Sequence, residues 1–126
     1  MKRIIETDDA PAAVGAYSQA VGNDSLLFTA GQIPMTADGE VLADESIEAQ
    51  TEQALYNLDA VLDEADATSA DILTVTVFLD DIDDFDAMNE TYAAYFDDEP
   101  PARSAVEVAA LPKGVGIEIE AVASLE

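Results

Sequence analysis

Two periodicities meet in the middle of this chain, and together they restrict what it can fold into. From Ser46 onward Ile47, Ala54, Leu55, Leu58, Val61, Leu62 and Ala65 recur at the spacing of one helix face, with Glu48, Glu52, Asp59, Asp63 and Glu64 between them. Ser46 stands where an N-cap belongs, and the pattern predicts a helix of about five turns. After it Asp71–Leu79, DILTVTVFL, alternates Thr and Val and predicts a central strand. A helix burying one stripe beside a strand burying one face calls for a layered arrangement.

The flanking segments fit the same scheme. Lys2–Glu6, Ala16–Ala20 and Ser25–Ala30 read as strands, the last two around a turn at Gly22-Asn23-Asp24. Asp38-Gly39 marks another turn before the short run Glu40–Leu42. Phe85, Met88, Tyr92, Tyr95 and Phe96 outline a second helix, which Pro100 and Pro101 are expected to end. Arg103–Ala109 and Gly116–Ala123 read as two final strands joined by the loop Ala110–Val115. The expectation is one α+β domain over residues 1–126, a two-layer sandwich of about six strands with two helices on one face. Helices enough for one layer leave the other sheet face uncovered, which implies a homo-oligomer.

Composition excludes several chemistries. The chain has no cysteine and no histidine. That removes disulfides, thiolate sites, the thiol nucleophile, and the commonest general base and metal ligand. The acid run Asp80-Asp81-Ile82-Asp83-Asp84-Phe85-Asp86 lacks the spacing of an EF-hand calcium loop and reads as a solvated helix start. Neither a metal nor a cofactor is expected. There is no run of about 20 apolar residues, and the apolar stretch of MKRIIETDDAP is too short for a signal peptide, so a cytoplasmic protein without a membrane partner is expected.

With 28 acids against 4 bases the net charge is −24, which argues against nucleic-acid binding. Apolar residues make up 49% of the chain and fall into periodic patterns, which argues against disorder. What remains is a folded protein with an acid-covered surface. Salt of ~1 M shortens the Debye length to about 3 Å and screens such a surface, so a halophilic setting is expected.

The bases are informative because they are few. Lys2 and Arg3 sit at the N-terminus, Lys113 lies in the turn-like Leu111-Pro112-Lys113-Gly114, and only Arg103 falls in an apolar, strand-like stretch. Arg103 reads either as a salt-bridge partner for one of the many acids or as an anion clamp whose planar fork matches a carboxylate. Alternation places Arg103, Ala105 and Glu107 on one strand face, and separates Glu118 and Glu120 from Ile117, Ile119 and Ala121. If the two strands pair, Arg103 and Glu118 lie close together on the sheet face away from the helices. Glu118 is then a candidate general base or water-positioning group; standing alone it reads as a solvated charge. Tyr17 reads as a packing residue, and Gly31 as a point where backbone can approach a ligand closely.

The segments APAAVGAYSQAV, FTAGQIPM, TVTVFLDDIDDF, MNETYAAYF and PPARSAVEVAALPKGVGIEIEAVA, in this order, resemble the reactive intermediate deaminases, the RidA or YjgF family, over nearly the whole chain. The resemblance implies a chorismate-mutase-like α+β fold and a homotrimer with active sites between subunits. It implies hydrolysis of 2-imino acids, which exchange with enamines such as 2-aminoacrylate, to 2-keto acids and ammonia. Arg103 would bind the substrate carboxylate and Glu118 would position the attacking water. Tyr17 would line the pocket, backbone around Gly31 would contact substrate, Asn89 would lie near the site, and backbone at Ala105 would assist. Two positions depart from the common pattern: Ala105 stands where many members have cysteine, and Ala30 where many have serine. The alternative is a non-catalytic protein that binds small carboxylates or keto acids in the same cleft.

Overall fold

The computed structural model describes residues 1–126. Its strands are β1 (Arg3–Ile5), β2 (Ala20–Gly22), β3 (Leu26–Thr29), β4 (Ile72–Leu79), β5 (Ala102–Glu107) and β6 (Ile117–Ser124); its helices are α1 (Ile47–Glu64) and α2 (Phe85–Tyr95). The strands form one mixed six-stranded sheet in the order β1-β2-β3-β6-β4-β5. Every neighbouring pair is antiparallel except β4 and β5, which run parallel with α2 as their crossover. The two helices cover one face, so the expected α+β layering is present.

Ser46 caps α1, its side chain accepting from the Ala49 N–H at 3.1 Å, an interaction worth about 1 kcal/mol. The apolar stripe of α1 buries Ala54, Leu55, Leu58, Val61 and Leu62. It joins one core with Val75, Val77 and Leu79 of β4 and Ile117, Ile119, Ala121 and Ala123 of β6. Truncating a fully buried leucine such as Leu58 or Leu62 to alanine costs about 2–5 kcal/mol. Along β6 buried and half-buried residues alternate strictly, as the sequence predicts, with Glu118 and Glu120 on the side away from the helices.

Four local expectations are corrected. The strand expected over Ala16–Ala20 begins only at Ala20 and runs to Gly22; Tyr17 is in a loop. The turn follows Gly22, with Asn23 Oδ1 accepting from the N–H groups of Ser25 and Leu26 at 2.8 Å each. Helix α2 ends at Tyr95, before Pro100. Phe96 turns into the core there, and Asp97, Asp98 and Glu99 would face the negative end of a continuing helix dipole. Finally, β5 and β6 do not pair, because β4 lies between them.

That last difference relocates Arg103. Residues in register across adjacent strands share a sheet face. Arg103 is opposite Val75, and Ala105 opposite Val77, both buried under the helices. Arg103 therefore lies on the helix-covered side, not on the open face where the sequence reading put it. Phe28, Val106 and Ile4 are exposed large apolar residues. Phe28 and Val106 share the open face through their register partners Val122 and Phe78.

Candidate active site

The sequence-derived candidates fall into two groups. In the first, Arg103 projects from the edge strand β5 toward α2. Phe85, Asn89 and Tyr92 recur on α2 at a spacing of four and then three residues, which makes one stripe. The Arg103 Nη1 donates to Asn89 Oδ1 at 2.7 Å. Its guanidinium carbon lies 4.6 Å from the Tyr92 ring centroid and 5.2 Å from that of Phe85. Such cation–π contacts contribute about 0.5–2 kcal/mol, depending on desolvation.

The guanidinium is thus held by a neutral amide and two rings, and its charge is not consumed by a carboxylate. Nη1 is the engaged atom, leaving Nη2 and Nε for a planar, bidentate contact. Tyr92 is 4% exposed, and its hydroxyl is buried without a hydrogen-bond partner. Burial pushes the phenol above its ordinary pKa, opposed by the nearby positive charge of Arg103. A cavity of about 400 Å³ opens beside these residues, lined also by Phe96, Pro100 and Pro101. Ala105 lies two residues along β5 on the same side, packed against the core.

The second group is built around Glu118. Strands β3 and β6 are in register from Leu26↔Ser124 to Phe28↔Val122, yet the next backbone bridge is Gln32↔Ile119. Four steps on one strand match three on the other, so Thr29–Gly31 absorbs one extra residue, as in a bulge. Thr29 Oγ1 covers the gap by accepting from the Ala121 N–H at 3.0 Å. The detour brings the Gly31 backbone against Glu118. A methyl group at Gly31 would overlap the Glu118 carboxylate and lie 2.6 Å from its Cδ.

Glu118 lines a cavity of about 610 Å³ with Tyr17, Gly31, Gln32, Ile33 and Lys113. Burial raises the Glu118 pKa above the usual carboxylate value, and the like charge of Glu120 adds to the rise. The cavity wall is tied down by amides that sequence reasoning did not single out. Gln19 accepts from the Thr7 N–H at 2.7 Å and donates to the Pro11 carbonyl at 2.8 Å, fixing the segment that leads to Tyr17. Asn57, fully buried on α1, donates to the carbonyls of Ile33 and Met35 at 3.0 and 2.8 Å. Gln50 accepts from the Gly116 N–H at 2.8 Å, fixing the start of β6. Gln50 and Asn57 are seven residues apart on the buried side of α1, and a polar pair in that phase was the available sign of loop anchoring.

Within one chain the groups stay apart. Arg103, Asn89 and Ala105 lie together, as do Glu118, Gly31 and Tyr17. Two strand spacings and three residues of offset put the Cα atoms of Arg103 and Glu118 roughly 14 Å from each other, with side chains on opposite faces.

Comparison with known proteins supplies context for this arrangement. The family model described as Endoribonuclease L-PSP matches residues 7–125. A RutC family protein of Pyrococcus horikoshii is 48% identical over 126 residues, covering 100% of both chains. The 2-iminobutanoate/2-iminopropanoate deaminase of Rattus norvegicus is 45% identical over 123 residues, covering 98% of this chain and 90% of the rat protein. Among solved structures, a conserved Rid family protein of unknown function from Yersinia pestis superposes with a TM-score of 0.95 at 45% identity, covering 98% of this chain and 99% of the other.

Proposed function

This chain belongs to the RidA/YjgF family, and on that premise we propose that it hydrolyses reactive 2-imino acids, such as 2-iminopropanoate and 2-iminobutanoate, to 2-keto acids and ammonia. The observation that carries the reading is the state of Arg103: a half-buried cation in a chain of net charge −24, held by the amide of Asn89 rather than by any acid. Such a group is preorganised to receive a small carboxylate from outside the chain.

The chemistry needs little beyond positioning. The imine carbon is already electrophilic, so water can add to it directly. Arg103 anchors the substrate carboxylate and fixes the position of C2. With the imine nitrogen protonated, Glu118 accepts a proton as water oxygen bonds to C2, giving a neutral carbinolamine. It returns that proton to nitrogen, and as the C–N bond breaks it takes the proton of the carbinolamine hydroxyl, so that the keto acid forms and ammonia leaves, carrying that proton away as ammonium. Gly31 keeps backbone close to Glu118, and Tyr17 closes the pocket.

Arg103 and Glu118 meet only if a second copy supplies one of them, so the site lies between subunits. We take the assembly to be a homotrimer packed through the open sheet face, where Phe28 remains 54% exposed in the single chain. The balance of charges favours a salt-rich cytoplasm, and no helix is long and apolar enough to cross a membrane. The endoribonuclease description fits this chain poorly, since 4 bases against 28 acids offer no phosphate-binding surface.

The test is a coupled assay in strong KCl: a dehydratase generates 2-aminoacrylate from serine, and pyruvate release is followed with and without this protein. Acceleration that disappears in Glu118→Gln supports hydrolysis. Binding of 2-oxobutanoate without any acceleration by the unaltered protein would instead leave the non-catalytic carboxylate binder.

A further inference from the structure

The cavity that holds Glu118 has one acid and one base in its lining, Glu118 and Lys113. No hydrogen bond joins them, and burial, with the like charge of Glu120, raises the Glu118 carboxyl above its usual pKa. Lys113 is also displayed in a deliberate way. It adopts φ 58° and ψ 18°, the left-handed region that side chains seldom occupy, in the turn Pro112–Gly114. The turn is tied down at both ends. The Gly114 N–H donates to the Leu111 carbonyl at 3.3 Å, Val115 is fully buried, and Gln50 holds the Gly116 N–H at 2.8 Å. An exposed lysine is therefore presented at the cavity rim on a fixed support.

The surrounding field makes that placement consequential. A chain of net charge −24 repels small carboxylates, and apart from Lys113 its bases are Lys2 and Arg3 at the N-terminus and Arg103 on the other sheet face. At 0.1 M salt the Debye length is about 10 Å, comparable to a small-molecule cavity; at 1 M it is about 3 Å. A rim ammonium can therefore reverse the local potential in dilute salt and has little reach in strong salt.

We propose that Lys113 is the substrate-recruiting cation of this cavity, drawing a carboxylate-bearing small molecule past the chain's own negative field toward Glu118. The proposal rests on the imine-hydrolase reading for the identity of the substrate. Lys113 acts on capture and leaves the chemical step to Arg103 and Glu118. Its own charge matters, while the backbone geometry only aims it.

The experiment compares the unaltered protein with Lys113→Gln, Lys113→Arg and Lys113→Gly. KCl is varied from the lowest concentration that preserves the native far-UV circular dichroism up to about 3 M, a range over which screening becomes nearly complete. For 2-iminopropanoate, Lys113→Gln should lower kcat/KM by about 3- to 10-fold at the low end with kcat within about twofold, as expected when only charge-steered capture is lost. The deficit should vanish in strong salt. Lys113→Arg should restore capture. Lys113→Gly relaxes the left-handed backbone without restoring charge and should behave like Lys113→Gln. Binding of 2-oxobutanoate, measured by calorimetry on the same proteins, should show the same salt-dependent difference without requiring turnover. If the unaltered protein hydrolyses imines and Lys113→Gln matches it at every salt concentration, or loses kcat equally at all of them, the recruiting role is overturned and the hydrolase reading stands. If no imine is hydrolysed but 2-oxobutanoate binding weakens in Lys113→Gln at low salt only, the hydrolase reading fails and the recruiting role stands.

Discussion

Arg103 and Glu118 lie on opposite faces of one sheet, with β4 between their strands: Arg103 is in register with Val75, and Glu118 with Phe78. The arginine packs on α2 under the helices, and the glutamate stands beside Gly31 on the other side. One protomer thus holds the two candidate residues apart, and the proposed site needs a second chain to bring them together.

Mixing inactive chains tests this directly. Arg103→Ala and Glu118→Gln should each abolish imine hydrolysis. Co-refolded in equal amounts they should recover about a quarter of the unaltered activity, the statistical share of sites that take both intact residues from different chains. No recovery in assemblies shown by native mass spectrometry to be mixed would contradict a shared site.

In the proposed site the neutrality of the Arg103 partner matters along with the arginine itself. Asn89→Asp keeps an acceptor near Nη1 but adds a charge that competes with the substrate carboxylate. KM should rise about 10- to 100-fold, more than in Asn89→Ala, reflecting the loss of charge-assisted hydrogen bonding. Arg103→Lys should lose a comparable factor in kcat/KM, because an ammonium lacks the planar fork. Steady-state kinetics on the three variants would refute the clamp if Asn89→Asp proved the mildest.

Glu118 carries a cost in stability alongside its proposed role. Burial and Glu120 raise its folded pKa, so between the ordinary carboxylate value and the raised one the folded state holds more protons than the unfolded state. Stability from this group therefore falls as pH rises through that window, and the cost persists above it. Glu118→Gln should melt higher than the unaltered protein at neutral pH, with the gap closing in acid, while turnover is lost. Turnover of the unaltered protein should rise with pH through the raised pKa as the carboxylate becomes available. A lower melting temperature for the variant at neutral pH would refute this account.

Gly31→Ala should separate fold from function. The added methyl collides with the Glu118 carboxylate rather than with backbone, so the side chain must swing away. Circular dichroism should be unchanged, with kcat down about 10-fold or more, the scale of losing a positioned general base. A fully active variant would mean that Glu118 need not occupy its position beside Gly31.

What the sequence determined alone is what local periodicity can encode. The helix capped by Ser46, the strand Ile72–Leu79 and the in–out alternation of Ile117–Ser124 follow from which neighbours share a face, a property of a few consecutive residues. Arg103 was conspicuous for the same reason, as a lone base in an apolar run. The expected strand at Ala16–Ala20 failed because alternation cannot reveal that Gln19 spends its amide on the Thr7 and Pro11 backbone. Pairing was beyond local reach altogether. Alternation says that Arg103 and Ala105 share a face, but not which face meets the helices or which strand lies alongside. The tertiary structure decided both by running the parallel β4–α2–β5 crossover, which sends β5 to the sheet edge and leaves β6 on the other side of β4. The extra residue at Thr29–Gly31, which brings Gly31 to Glu118, is likewise a matter of register between strands about 90 residues apart, as the separation of Thr29 and Ala121 shows.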